Sequence, residues 1–435
     1  MIRPKERDII VQALTAGVVP RLGLKHIQVG RKDELAAMLK DIDRVADSGS
    51  AVRFIVGEYG AGKTFFATVV RLIAHERKCV TMHADLSSNH RLHGSNGQAR
   101  ALYSAAVANM ATKTKPEGGA LQSVVERLVT DIVRDADRQQ APVESLVDKK
   151  LEPLQQFTNG YDFATVVKAY WRGSETSDQD LQACAIRWLR GEYPTKTQAN
   201  KDLKVRTIID DDNVYDSLKA LAYLVRAAGY GGLLVMLDEM VSLFGLQNAQ
   251  ARKQNYDQVF RIVNDGLQGN TSGIGFVMCG TPEFLMHTRR GLYSHEALQS
   301  RLTENTFAGG GYVDYSGPVL RLQNLTQADM FILLENIRNV FALGDPAKFL
   351  VPDDALPAFM DHCFSKIGAK YFETPRSTVR KFVQMLSILE QNPNAKWEML
   401  LETVEYAEDA PDTFVGDETE QQDSGDELAD FRLRR

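Results

Sequence analysis

Apolar residues along the 435-residue chain fall into two kinds of run. Short, almost continuous ones occur at Ala51–Val56, Cys79–Asp85, Gly231–Leu237, Ser272–Cys279 and Pro318–Leu322. Runs of that length read as strands buried on both faces. Between them apolar positions recur at helical spacing, as in the stripe Leu35, Met38, Leu39, Ile42 and Val45. Strands alternating with helices predict an α/β fold, a three-layer P-loop core whose parallel sheet is covered on both sides. His26–Val29 reads as one further short strand. The pattern divides the chain into five stretches. Residues 1–86 hold an N-terminal helix and the first part of the core, and residues 87–228 read as a large, mostly helical insertion. Residues 229–324 complete the core, and residues 325–406 carry only helical periodicity, as a C-terminal lid. Residues 407–435 are acidic and poor in large apolar side chains, which predicts disorder.

The first strand runs into Gly57-Glu58-Tyr59-Gly60-Ala61-Gly62-Lys63-Thr64, and Phe65 follows inside a helical segment. The spacing G-x-x-x-x-G-K-T between a strand and a helix is that of a phosphate-binding loop. Glycines let successive backbone N–H groups turn toward phosphate oxygens, aided by the positive end of the helix. Lys63 is expected to reach the β- and γ-phosphates of ATP and Thr64 to ligate Mg²⁺. The third strand ends in Asp238-Glu239, which places two carboxylates where open α/β sheets bind ligands. Asp238 is assigned to Mg²⁺ with Thr64, and Glu239 to activating water as general base.

Three further residues complete the expected site. Thr281, after the fourth strand, is placed to sense the γ-phosphate, against the plain reading of a satisfied loop threonine. Arg301 is placed to enter a neighbouring subunit's phosphate site, with Arg289 and Arg290 as alternatives and a surface salt bridge as the plain reading. Arg376 falls in the first turn of a helix that Thr374 would cap with Pro375 at its first position. A cation there opposes the helix dipole, which suggests a bound phosphate.

Charge and composition narrow this picture. Residues 402–435 hold twelve Asp or Glu against three Arg, a net of −9, so the rest of the chain carries about +3 and the acidity behind the net charge of −6 lies in the tail. No apolar run approaches the roughly 20 residues of a membrane span, and the N-terminus lacks a signal peptide's apolar centre; a cytoplasmic protein without membrane contact is expected. The four cysteines are scattered and indicate neither disulfides nor a zinc site. Cys79 and His83 would project from a strand, apart from His90 and His93 in a loop. These two histidines with Arg100 read as solvated loop residues. Lys196, Lys201, Lys204 and Arg206 form a basic group that reads as a solvated face, because it offers no aromatic stacking partner. DNA binding therefore has no clear motif behind it.

The two nucleotide motifs resemble those of AAA+ ATPases, particularly the origin-recognition and initiator type. Val29-Gly30-Arg31 stands where that group has its adenine-side turn, and Thr374-Pro375-Arg376 where it has its lid arginine. The resemblance has departures: Lys63 and Asp238 are 175 positions apart, which implies the helical insertion, and no room is expected after the lid for the winged-helix domain that initiators use on DNA. More narrowly, Asp85–Ser87, Arg91–Gly94, Gly97–Tyr103 and Thr114–Leu121 resemble the bacterial P-loop ATP-binding family of bacteriophage-exclusion (BREX) loci. That resemblance implies antiviral defence alongside methyltransferase, helicase or nuclease partners. The function expected is Mg²⁺-dependent ATP hydrolysis driving a conformational cycle, in a homo-oligomer if Arg301 acts in trans. Two alternatives stay open: an ATP-held switch or scaffold that rarely hydrolyses, and a DNA-engaging loader or translocase.

Overall fold

The computed structural model describes residues 2–308, 313–367 and 375–403. The acidic stretch 407–435 and Thr374 lie outside the described residues. Five strands, β1 (Ser50–Val56), β2 (Val80–Asp85), β3 (Leu233–Asp238), β4 (Ile274–Gly280) and β5 (Val319–Arg321), form one sheet in the order β2-β3-β4-β1-β5. Every pairing between them is parallel. Their uninterrupted apolar sequence follows from burial on both faces.

On one face Ile55, Leu234, Met236, Val277 and Leu320 meet Met38 and Ile42 of helix Lys32–Ala46 and Phe66 and Val70 of helix Lys63–Glu76. On the other, Val52, Phe54, Val235 and Phe276 pack beneath helices Gln98–Ala108, Val214–Ala227 and Ala249–Gln268. The last of these lies close on β1: a methyl group at Gly266 would sit 2.5 Å from the Val52 side chain. The architecture is thus a three-layer α/β core. The inserted helices share this second face's apolar cluster, with Val124, Leu128, Phe163, Trp188 and Leu203 continuous with the strands.

A separate cluster joins helices Gln327–Phe341, Ala355–Ile367, Pro375–Gln391 and Trp397–Thr403 with the N-terminal helix Pro4–Thr15. The first of these begins in a capping box, in which Thr326 accepts from the Asp329 N–H at 3.1 Å and Asp329 accepts from Thr326 N. The short strand expected at His26–Val29 does not form. Leu24–His26 is a single 3₁₀ turn, and Ile27 is buried in the lid cluster instead of the sheet. Gly30 and Arg31 then take φ of +62° and +63°, a left-handed pair that ends any extended run.

Where β2 meets helix Lys63–Glu76, one imidazole, His75, is buried and another, His83, is half-buried. His75 Nε2 lies 2.9 Å from Thr81 Oγ1, and His83 Nδ1 lies 3.2 Å from the Arg71 guanidinium. Burial, reinforced by the charge of Arg71, lowers the pKa of each to about 4. The unfolded chain therefore takes up protons first. The stability that these neutral rings contribute is complete above about pH 6.5 and is lost as the pH falls toward 4. Urea unfolding midpoints should be flat from pH 8 to about 6.5 and then decline, and His75→Phe should flatten part of that decline. An unchanged pH profile in the variant would count against His75 as a source of it.

Candidate functional site

The loop from Gly57 to Gly62 leaves β1 at its C-terminal end. Gly60 and Gly62 adopt φ of +75° and +87°, and nothing lies within 4 Å of where a Gly62 side chain would begin. Glycine is required there by the backbone conformation and not by lack of space. Helix Lys63–Glu76 starts immediately after, so its first N–H groups open onto the loop. Lys63 Nζ turns back into the loop, 2.9 Å from both the Gly57 and Glu58 carbonyl oxygens, and lies 5.4 Å over the Tyr59 ring. Burial lowers its pKa, opposed first by the charge of Asp238. Arg31 braces the loop from outside, donating to the Ala61 carbonyl at 3.3 Å and pairing with Glu34 at 3.4 Å.

Thr64 and Asp238, 174 positions apart, are brought together: the Thr64 hydroxyl donates to Asp238 Oδ2 at 2.9 Å. The other Asp238 oxygen accepts the Glu239 N–H, also at 2.9 Å. Glu239 is exposed at φ +55°, a conformation that disfavours a long side chain and is held by its surroundings. Those surroundings are specific. The peptide flanking Leu86, just past β2, is gripped on both sides: its N–H donates to the Asp238 carbonyl at 3.0 Å, and its carbonyl accepts the buried Ser242 hydroxyl at 2.9 Å. Met240 N–H donates to the Cys279 carbonyl at 3.1 Å, which ties the same turn to β4.

Asp85 stands directly across the strand pair from Asp238. Burial and the Asp238 charge raise its pKa. Thr64, Asp238 and Asp85 offer hard oxygen donors, which suit Mg²⁺. Among the described residues no group of three or more His, Cys, Asp or Glu is gathered to hold a metal alone. Such a site fits an ion that shares its coordination with water and phosphate. The same observation leaves Cys79, His83, His90 and His93 ungathered.

The remaining expected residues take varied positions. Thr281 is buried beside the start of the loop, since Gly57 N–H donates to the Gly280 carbonyl at 3.2 Å. Its hydroxyl accepts from Phe284 N–H at 3.3 Å as a helix cap, which leaves its own proton to donate. Phe65 touches the lid cluster. Gly30 approaches the first turn of the lid: a methyl group there would sit 3.2 Å from Asp329 Oδ1. Val29 precedes it in the same turn. Arg376 is the second residue of helix Pro375–Gln391, exposed, with its guanidinium against Gly17. Arg301 donates to the Ala297 carbonyl at 3.0 Å and to Asn264 at 2.9 Å, and lies 4.8 Å over Phe260. Arg290 donates to the Phe244 and Leu246 carbonyls at 3.1 and 3.3 Å, which ties the segment after β4 to the helix after Glu239. Arg289 is exposed.

Three residues at this site escaped the sequence-based assignment. Asp85 and Ser242 act across strands, and register between β2 and β3 is not encoded in local spacing. Arg31 lies in the Val29-Gly30-Arg31 turn, but its contact with the Ala61 carbonyl, 30 positions away, has no local signal. A comparison with curated proteins gives no match. The family model for the BREX system ATP-binding protein BrxC/D matches residues 2–405, nearly the whole chain and every residue of the site described above. The chain therefore belongs to the BrxC/D family of BREX system ATP-binding proteins.

Proposed function

We propose that this BREX ATP-binding protein is a Mg²⁺-dependent ATPase whose turnover drives a conformational cycle in cytoplasmic anti-phage defence. The observation that carries this reading is the 2.9 Å contact between Thr64 and Asp238, with Glu239 next in sequence. A phosphate loop by itself accounts for binding. A hydroxyl and a carboxylate meeting at its rim, with a second carboxylate beside them, account for hydrolysis.

In this reading Gly57 to Thr64 enclose the phosphates with backbone N–H groups, and Lys63 exchanges its loop carbonyls for phosphate oxygens. Thr64 and Asp238 hold Mg²⁺, which would offset the charge of the β- and γ-phosphates. Glu239 takes a proton from the attacking water, and Thr281 donates its free hydroxyl proton toward the γ-phosphate. Arg376, in the first turn of lid helix Pro375–Gln391, and the Val29-Gly30 turn, which meets the lid at Asp329, report the state of the nucleotide. The system's other proteins are the expected partners. The direct test is phosphate release from ATP by the full chain, alone and then with the other components of its system, with Mg²⁺ present or chelated. Release in neither setting would overturn the reading.

Ser242 supplies a finer check. Ser242→Ala leaves the buried Leu86 carbonyl without its donor, at about 1–3 kcal/mol, and loosens the turn that holds Glu239 in its left-handed conformation. Turnover should fall between about threefold and about 100-fold with KM for ATP unchanged. A rise in KM with kcat intact would instead place Ser242 in nucleotide binding.

A second reading, an ATP-held switch with little hydrolysis, is favoured by the bonds that tie Arg301 to Asn264 and to its own helix. An arginine so engaged acts on a neighbour only after it is released. Turnover that stays negligible in the assembled system while ATP binding persists would favour the switch.

A further inference from the structure

Positive charge in the insertion is concentrated at one helix corner. Between residues 187 and 206 the chain carries Arg187, Arg190, Lys196, Lys201, Lys204 and Arg206 against Glu192 and Asp202. In the structure this stretch is the end of helix Gln179–Leu189, a turn, helix Lys196–Leu203 and the segment beyond it. Lys196, Lys201, Lys204 and Arg206 are exposed. Among the described residues none of the six basic side chains is paired with a carboxylate, and Asp202 is engaged by the Tyr193 hydroxyl at 3.0 Å. Elsewhere on the insertion several cations are paired, as in Lys168–Asp148, Arg172–Glu144 and Lys219–Asp216, and those without an ion pair, such as Lys149 and Lys150, do not lie in a run of six basic residues.

The corner is also rigid. Trp188, Leu189, Tyr193, Leu203 and Val205 are buried in the cluster shared with the sheet. Trp188 Nε1 donates to the Thr207 carbonyl at 2.9 Å, and Tyr103 and Ser104 donate to the Leu189 and Arg190 carbonyls at 2.8 Å. Asn200 closes the end of the second helix by donating to the Val205 carbonyl at 3.0 Å. The backbone that carries these charges is therefore anchored by buried contacts.

We propose that this corner is a docking surface for the phosphate backbone of duplex DNA, read without sequence preference. A polyanion with regularly spaced phosphates satisfies unpaired lysines and arginines and gains affinity by counterion release. Duplex is favoured over single strands by the aromatic residues. Trp188 and Tyr193 are each 1% exposed, and Arg187 covers the Tyr193 ring at 4.5 Å, so the corner offers no aromatic face on which bases could stack. The proposal does not rest on hydrolysis at the phosphate loop, because DNA binding is measured without nucleotide.

The test is fluorescence anisotropy of a labelled 30-base-pair duplex with the full chain at low and rising salt. Wild type should bind at about 50 mM salt and weaken steeply as salt rises. The triple variant Lys201→Gln, Lys204→Gln, Arg206→Gln should bind at least about tenfold more weakly, with a log–log salt slope shallower by about 3. Lys149→Gln with Lys150→Gln, another basic pair of the insertion, should bind as wild type does. Retained ATP binding and an unchanged circular dichroism spectrum show that the triple variant is folded. Absence of wild-type binding at low salt, or equal weakening by both sets of substitutions, would overturn the proposal. The first of these outcomes would point to an acidic protein segment as the occupant.

Discussion

Glu239→Gln should bind ATP as the wild-type chain does and lose turnover by a factor of about 10² to 10⁴. The amide keeps the shape of the carboxylate, and two backbone bonds that hold the turn are untouched: Glu239 N–H to Asp238, and Ser242 N–H to the Glu239 carbonyl at 2.9 Å. What the substitution removes is the ability to accept a proton from water. Asp238→Asn differs in kind, because Asp238 meets Thr64 directly. It should weaken Mg²⁺-dependent ATP binding as well as turnover. Measured together by nucleotide titration and single-turnover phosphate release, the two variants separate a proton acceptor from a metal holder. Wild-type turnover in Glu239→Gln would remove Glu239 from the role of base and leave the binding function of the family untouched.

The parts of this arrangement that local chemistry dictates were readable in advance. A strand, a glycine loop, Lys63-Thr64 and a helix lie within one short stretch, so their order fixes their geometry. The same holds for the strand ending in Asp238-Glu239. The three-layer α/β core and the resemblance to BREX ATP-binding proteins are both borne out. Non-local features were hidden. β4 lies between β1 and β3, and Asp85 faces Asp238, through strand register that no periodicity encodes. His26–Val29 looked like a strand because its apolar residues alternate, yet Ile27 finds its burial in the lid. The contact between Arg301 and Asn264 spans 37 positions, and a basic residue on an amphipathic helix gives no hint of it.

Arg53 shows how far the core depends on such a hidden contact. It lies in the middle of β1, 5% exposed, in a strand whose other residues after Ser50 are apolar. Its Nε and Nη2 reach the same Asp41 oxygen at 2.7 and 2.6 Å, and Nη1 donates to the Tyr315 and Gly317 carbonyls. One residue thus joins helix Lys32–Ala46 to the strand that feeds the phosphate loop and to the segment entering β5. Removing one member of a buried ion pair leaves the other charged and unpaired in a poorly solvated place. Asp41→Leu should therefore lower unfolding free energy by about 3–5 kcal/mol, read from urea denaturation near neutral pH. Adding Arg53→Met on that background should recover part of the loss, since the stranded charge goes with it and an unbranched apolar chain fills the space. It should not recover all of it, because the Tyr315 and Gly317 carbonyls lose their donor. If Arg53→Met instead destabilises the Asp41→Leu chain further, by as much as it does the wild type, then the guanidinium acts through those carbonyls and not through the pair. The contact that holds β1 against its neighbours would then lie on the β5 side of the sheet.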